Sequence, residues 1–154
     1  MKTRVEFRET FSVYGYTSPM INEASQEREE ALLRENYEAK LKSILEDGAR
    51  LCVVIWFVDE KHWFYHIGVT KWDDFSDEQA TCVEVPGGYY AVGTVTTDVP
   101  ALDAWMQLMK VELSARDNVP VISIVEQETR KYFENYIDED GNYELWAPIV
   151  TDRE

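Results

Sequence analysis

The sequence is poor in basic residues. It holds 15 lysine and arginine residues against 30 aspartate and glutamate residues, which gives a formal net charge of −15. Binding to DNA or RNA needs clustered positive charge, so this balance argues against a direct nucleic-acid partner and against an anionic membrane surface. An acidic surface can attract cations, although it often serves solubility alone.

Cysteine and histidine are scarce as well. Cys52 and Cys82 lie 30 residues apart without a C-x-x-C pair, which is typical of reduced, packed thiols in a cytoplasmic protein. His62 and His66 have no cysteine or paired carboxylate at metal-binding spacing, so we predict no metal site and expect no cofactor. The sequence also lacks a run of roughly 18 apolar residues that could span a membrane. Its start, M-K-T-R-V-E-F, has no apolar run of a secretory signal.

Alternating and helical hydrophobic patterns follow one another in the first half of the chain. The length of 154 residues and the hydrophobic content of 45% fit one domain or two fused half-domains. Residues 4–17 alternate and predict a strand, in which Gly15 marks a bulge or a close backbone approach. Residues 23–46 predict a helix with an apolar stripe that includes Leu41. The opposite face of this helix carries charged residues that we expect to be solvated: Glu29, Glu30, Arg34, Glu38 and Lys42.

The pattern then occurs a second time. A hairpin is predicted at residues 51–70 and a polar connector at 71–81. After the connector come a strand, a helix with Met109 in its apolar stripe, a short extended segment and a closing hairpin, predicted at residues 82–97, 98–115, 119–126 and 130–150.

The two copies form an internal repeat. Tyr14-Gly15 lines up with Val92-Gly93, an offset of 78 residues, and each half then reads as a βαββ unit, at about 4–70 and about 82–150. Two such units can join into one antiparallel sheet with both helices on one face and an aromatic ligand groove on the other. The predicted fold class is therefore α+β.

The closing hairpin, with the turn D-E-D-G at 138–141, sets the expected position of Glu134. Gly141 can adopt a positive φ, which suits a three-residue loop that pairs Asp138 with Asn142. Glu134 would then lie opposite Trp146, and Tyr136 opposite Glu144. Two interpretations of Glu134 follow from its aromatic neighbours. It is either a solvated glutamate of an edge strand or a carboxylate in an aromatic pocket that awaits a cation.

Three motifs give the chain a resemblance to a known family. V-E-V-P-G-G-Y-Y-A-V at 83–92, F-E-N-Y at 133–136 and Y-E-L-W-A-P-I-V at 143–150 occur in the order and spacing of the GyrI-like, or bacterial effector-binding, domain family. In multidrug-responsive transcription regulators this domain senses the ligand and is fused to a DNA-binding module. The resemblance implies a stand-alone single domain over residues 1–154, whose groove binds hydrophobic, cationic, amphipathic small molecules.

The resemblance also implies which residues form the site. The glutamate of the F-E-x-Y motif, Glu134, would meet the ligand's charge. The aromatic residues expected around it, for each of which core packing is the alternative, are Trp146, Tyr136, Tyr14, Trp56, Tyr65 and Tyr90.

Several functions stay open at this point. A binding module is favoured, because no nucleophile–base pair is evident. A hydrolase of cyclopropane-bearing alkylating compounds would use Glu134 as a catalytic residue that positions or activates water. A protein-interaction role, as a gyrase inhibitor or as the partner of a separate regulator, is a third possibility, and a haem-binding relative of similar fold is a fourth.

Overall fold

The structure is a computed structural model that describes residues 3–59, 61–96, 98–99, 121–124, 131–138 and 140–151. The elements in these ranges are β1 (Thr3–Arg8), β2 (Phe11–Thr17), α1 (Gln26–Ser43), β3 (Leu51–Phe57), β4 (Trp63–Val69), β5 (Thr81–Val85), β6 (Gly88–Val95), β7 (Val121–Ile124), β8 (Lys131–Tyr136) and β9 (Tyr143–Thr151). The expected second helix, including Met109, lies outside the described residues. Within the described ranges, no helix has the length and apolar character needed to cross a membrane.

An antiparallel sheet organises the chain. Its strand order is β1-β6-β9-β8-β3-β4-β2-β5, and β7 pairs with β9. β1 lies at one end of this order and β2 is the second strand from the other end, yet only residues 9–10 separate them in the chain. Two residues span too short a distance to cross a sheet, so the sheet curls until its ends meet. With α1 packed on it, the described part has the predicted α+β architecture.

The expected strands at 4–17 and 82–97 are each broken in two, which is a correction to the βαββ pattern. β1 pairs with β6 and β2 with β5 in one continuous register, in which Arg8 faces Gly88 and Phe11 faces Val85. Both breaks occur at the same level, at residues 9–10 and 86–87, where the N–H of Gly87 donates to the Thr10 hydroxyl at 2.9 Å. Pro86 has no N–H to donate to a sheet, which accounts for the break in the second strand. These registers are compatible with a two-fold repeat, but the superposition of the two halves stays a prediction.

β2 and β4 approach one another unusually closely. Gly15 faces Gly68 across the two strands. A Cβ at Gly15 would lie 2.0 Å from the carbonyl oxygen of Ile67, and a Cβ at Gly68 would lie 2.4 Å from that of Tyr14. The expectation that Gly15 marks a close backbone approach is therefore confirmed.

The closing hairpin has a register one residue away from the expected one. Phe133 faces Trp146, and Glu134 faces Leu145. The expected pairing of Glu134 with Trp146 is therefore wrong. Because side chains alternate between the two faces of a strand, this single step moves Trp146 to the face opposite Glu134.

The turn of this hairpin explains the difference in register. The N–H of Ile137 donates to the carbonyl of Asn142 at 2.9 Å, so residues 138–141 form a four-residue loop instead of a three-residue one. The Asp138 carboxylate accepts the backbone N–H of Asn142 at 3.2 Å and its side-chain amide at 2.8 Å. Gly141 has the expected positive φ, at +86°. The Asp138 carboxylate therefore supports a longer loop than the one expected from Gly141 alone.

The two faces of the sheet pack separately, and the buried residues of the described part form three clusters. The face enclosed by the curl, called the enclosed face below, holds one cluster of buried residues: Val13, Cys52, Val54, Val83, Val85, Tyr90, Val92, Phe133 and Trp146. The other face, called the helix face, packs against α1 through Leu33 and Leu41. Of the two cysteines, Cys52 is packed as expected, whereas Cys82 is exposed.

α1 is shorter than the predicted helix at 23–46, and its expected solvated face is partly wrong. Leu33 and Leu41 are buried against the sheet, in line with the predicted stripe. However, Glu30, Arg34 and Glu38 are only partly exposed, because they lie along the edge of that stripe and turn toward the sheet.

The packing of α1 can be tested at Leu41, which is fully buried. Leu41→Ala should lower the free energy of unfolding by about 2–5 kcal/mol, because it removes apolar contacts and leaves a cavity. Leu32→Ala is the matched control, since Leu32 lies on the same helix with 44% of its surface exposed. Urea denaturation measures both values, and equal losses for the two variants would contradict this packing.

Candidate functional site

Glu134 lies in the interior of the sheet on the helix face. β8 is paired on both sides, and Glu134 faces Val53 on β3 and Leu145 on β9. Val53 belongs to the core that packs against α1, and only 6% of the Glu134 surface is exposed. The interpretation of Glu134 as a solvated edge-strand residue is therefore wrong. The expected position on a face without a helix is also wrong, because Glu134 and α1 share one face.

Two side chains compensate the buried carboxylate. The Tyr136 hydroxyl donates to Glu134 Oε2 at 3.0 Å. Arg34 of α1 places its Nη2 atom 3.8 Å from the same oxygen and donates to the Tyr136 hydroxyl. The second guanidinium nitrogen, Nη1, pairs with Glu38 Oε1 at 3.0 Å. Arg34 is therefore shared between a buried carboxylate and a partly exposed one.

Tyrosine rings surround this ion pair. The guanidinium carbon of Arg34 lies 5.0 Å from the ring centre of Tyr136 and 5.9 Å from that of Tyr65. The ring of Tyr143 lies 5.3 Å from that of Tyr136 and is buried as well. Aromatic faces attract positive charge, so the rings and the carboxylate act together on the same cation. We call the group Glu134, Arg34, Tyr65, Tyr136 and Tyr143 the carboxylate centre.

Burial is the main cause of the raised pKa values around Glu134. Burial raises the pKa of Glu134 above its ordinary value, and Arg34 and Tyr136 oppose that shift. Glu30, one helical turn before Arg34, has its pKa raised to about 7 by burial and by the charge of Glu134. Burial and the same charge raise the pKa of Tyr143 to about 12. The positive charge of Arg34 therefore stabilises the ionised forms of several groups, which burial destabilises.

A cleft of about 700 Å³ opens beside the carboxylate centre. It lies between the second half of α1, residues 48–51 and the loop between β8 and β9. Arg34, Tyr136 and Tyr143 line both the cleft and the centre, whereas Glu134 does not belong to the cleft wall. Arg34 and Tyr136 therefore stand between the cleft and the buried carboxylate.

The structure brings three of the predicted site residues together: Glu134, Tyr65 and Tyr136. Tyr14 is on the helix face as well, but its ring contacts Phe75 of the connector at 5.1 Å, away from the carboxylate centre.

The other three predicted residues lie on the enclosed face. Trp146 and Tyr90 pack around Phe133, with ring centres 5.1 and 5.3 Å from it. Trp56 is partly buried against the same core and contacts Phe64. An aromatic residue in a strand suits either face, so composition alone could not separate these residues from Tyr65 and Tyr136.

Arg34, Glu30 and Tyr143 were missed by the sequence interpretation. Arg34 lies three residues before Tyr37, and Glu30 three residues before Leu33, so both continue the apolar stripe of α1 at helical spacing. Tyr143 faces Tyr136 in the observed register of the hairpin. The helical spacing and the four-residue loop are the features that could have identified these three residues.

Known proteins resemble the chain in fold. No family model and no curated protein sequence matches it. The integron cassette protein VCH_CASS2 from the mobile metagenome of Vibrio cholerae has a TM-score of 0.71 at 13% identity, over 96% of this chain and 95% of that one. SAV2435 bound to tetraphenylphosphonium has a TM-score of 0.69 at 17% identity, over 97% and 94%. The EcmrR C-terminal domain has a TM-score of 0.60 at 15% identity, over 97% of each chain. At these identities the likeness establishes a common fold.

The raised pKa of Glu30 predicts a pH dependence of stability. Between its ordinary value of 4.5 and its folded value of about 7, the folded protein holds a proton that the unfolded chain has released. The free energy of unfolding should therefore fall as the pH rises through this range. Glu30→Gln removes that contribution, so the fall should be smaller in the variant.

The measurement is a series of urea denaturations of both proteins across this pH range. His66 is buried, and its pKa is lowered to about 4, but it is present in both proteins, so its contribution cancels in the difference. Parallel curves for the wild type and Glu30→Gln would contradict the assignment.

Proposed function

We propose that this chain is a small-molecule binding protein for hydrophobic, amphipathic cations, in which Glu134 meets the charge of the ligand. One observation carries the proposal. The Arg34 guanidinium, which is itself a planar organic cation, lies beside the rings of Tyr65 and Tyr136 and pairs with a buried carboxylate. A centre that holds one delocalised cation in this way has the chemistry to hold another.

The adjoining cleft and the fold support the same function. A cleft of about 700 Å³ is within the size range of small-molecule sites, and it opens next to the rings that contact Arg34. SAV2435, which shares the fold, was solved with tetraphenylphosphonium, a bulky apolar cation. The net charge of −15 favours the approach of cations and disfavours nucleic acid as a direct partner.

Binding accounts for the carboxylate centre better than hydrolysis does. A general base must offer a free lone pair to water within hydrogen-bonding distance. The Tyr136 hydroxyl and the Arg34 guanidinium both lie against Glu134 Oε2, and a donor and a cation beside a carboxylate reduce its strength as a base. These contacts suit a group that holds positive charge, so we propose a ligand-contact role for Glu134, Tyr65, Tyr136 and Tyr143, and core packing for the aromatic residues of the enclosed face.

The test compares a cation with a neutral molecule of similar shape. Glu134→Gln should weaken the binding of tetraphenylphosphonium by about tenfold or more, the value of one charge-assisted contact. It should change the binding of triphenylphosphine oxide much less, because the substitution keeps the volume of the side chain and removes its charge. Isothermal titration calorimetry of the two compounds gives both affinities.

Glu144→Gln is the matched control for this experiment. Glu144 belongs to the neighbouring strand and pairs with Arg4 at 2.6 Å. Its substitution by Gln removes one negative charge, as Glu134→Gln does, but outside the carboxylate centre. Its substitution should leave the preference for the cation intact. An equal loss of both affinities in Glu134→Gln would refute the proposed role of Glu134.

A further inference from the structure

Arg34 already occupies the position beside Glu134 that a cationic ligand would take. We propose that Arg34 determines the specificity of the site, as a resident cation that the ligand must displace from Glu134, and that Glu38 receives it. This inference rests on the proposed binding function and adds to it the group with which every cationic ligand competes.

The two ion pairs of the Arg34 guanidinium differ in length. The distance from Arg34 to the buried Glu134 is 3.8 Å, whereas the distance to Glu38 is 3.0 Å. Glu38 lies one helical turn further along α1, and 31% of its side chain is exposed. A rotation of the Arg34 side chain would break the longer ion pair and the hydrogen bond to the Tyr136 hydroxyl, and it would keep the shorter ion pair. Arg34 would remain paired throughout, which avoids the large penalty of leaving a buried charge alone.

Arg34 would move along the wall of the cleft, from Glu134 toward Glu38. Arg34 and Tyr136 line the cleft and also contact Glu134, which lies behind them. Glu38 lines the cleft too. When the guanidinium moves toward Glu38, it uncovers the carboxylate and the ring of Tyr65 from the side of the cleft. A ligand in the cleft then gains access to both.

Competition with Arg34 selects among cations. A ligand must gain more from the carboxylate centre than the guanidinium loses by leaving it. A bulky cation with dispersed charge gains from tyrosine rings and apolar burial as well as from Glu134, so it can meet this threshold. A small, strongly hydrated cation gains less, since it must also lose its water. A neutral molecule has no charge with which to replace Arg34.

The central variant is Arg34→Met, which keeps much of the length of the side chain and removes its charge. Without the resident cation, tetraphenylphosphonium should bind about tenfold more tightly or better, because no guanidinium competes with the ligand for Glu134. The affinity for triphenylphosphine oxide should change little. Titrations at about pH 8.5 favour the ionised form of Glu134, whose pKa is raised by burial and lowered by Arg34.

Two further variants separate displacement from a general effect of charge. Arg28→Met makes the same substitution on the same helix, at a side chain that is 73% exposed and does not line the cleft, and it should leave the preference for the cation nearly unchanged. Glu38→Gln removes the receiving group, so it should weaken the binding of tetraphenylphosphonium in the wild type. The same substitution should have no such effect in the Arg34→Met background, where no guanidinium needs a new partner.

The outcomes distinguish this inference from the proposed function. Suppose the wild type prefers tetraphenylphosphonium to triphenylphosphine oxide and Arg34→Met binds the cation no more tightly. The inference is then wrong, and the proposed function stands. A lack of preference in both the wild type and Arg34→Met would overturn the inference and the proposed function.

If Glu38→Gln weakens cation binding equally with and without Arg34, Glu38 contacts the ligand directly and its role as the receiving group is refuted. Should Arg34→Met not fold, the comparison of Glu38→Gln with the wild type still decides, since unchanged cation binding would overturn the inference.

Discussion

The burial of one carboxylate in the interior of the sheet is the constraint on which the rest of the site depends. A carboxylate out of water costs several kcal/mol unless a cation or hydrogen bonds compensate it. Glu134 obtains both from Tyr136 and Arg34. Arg34 reaches Glu134 because Leu33 and Leu41 hold α1 on the sheet. The packing of the sheet and the compensation of Glu134 therefore depend on the same helix.

The strand register decides which aromatic residues surround the carboxylate. β8 is paired on both sides, so the backbone of Glu134 is held in place and its side chain points to the helix face. One residue earlier, Phe133 points to the enclosed face and stacks on Trp146. The guanidinium carbon of Arg8 lies 4.5 Å from the ring centre of Phe11 on that second cluster. A carboxylate also lies beside the second cluster, since Glu144 accepts the ring N–H of Trp146 at 3.3 Å. The carboxylate on the helix face is the more deeply buried of the two, with 8% of the Glu134 side chain exposed against 17% for Glu144.

Much of the architecture follows from the sequence, because periodicity and turn residues report directly on local structure. The hairpin at 51–70, the core of α1 and the positive φ of Gly141 were predicted in this way. The register of the closing hairpin was not, because it depends on hydrogen bonds of the Asp138 carboxylate that support a longer loop. Arg34 was missed because a charged residue beside an apolar stripe is exposed by default, and only Glu134, distant in sequence, turns it inward.

Competition between a cationic ligand and Arg34 for Glu134 can be observed in a crystal structure of the protein with tetraphenylphosphonium. The cation should lie against Glu134 and the rings of Tyr65 and Tyr136, with the Arg34 guanidinium turned to Glu38. A cation bound on the enclosed face, or one bound in the cleft while Arg34 still contacts Glu134, would contradict it.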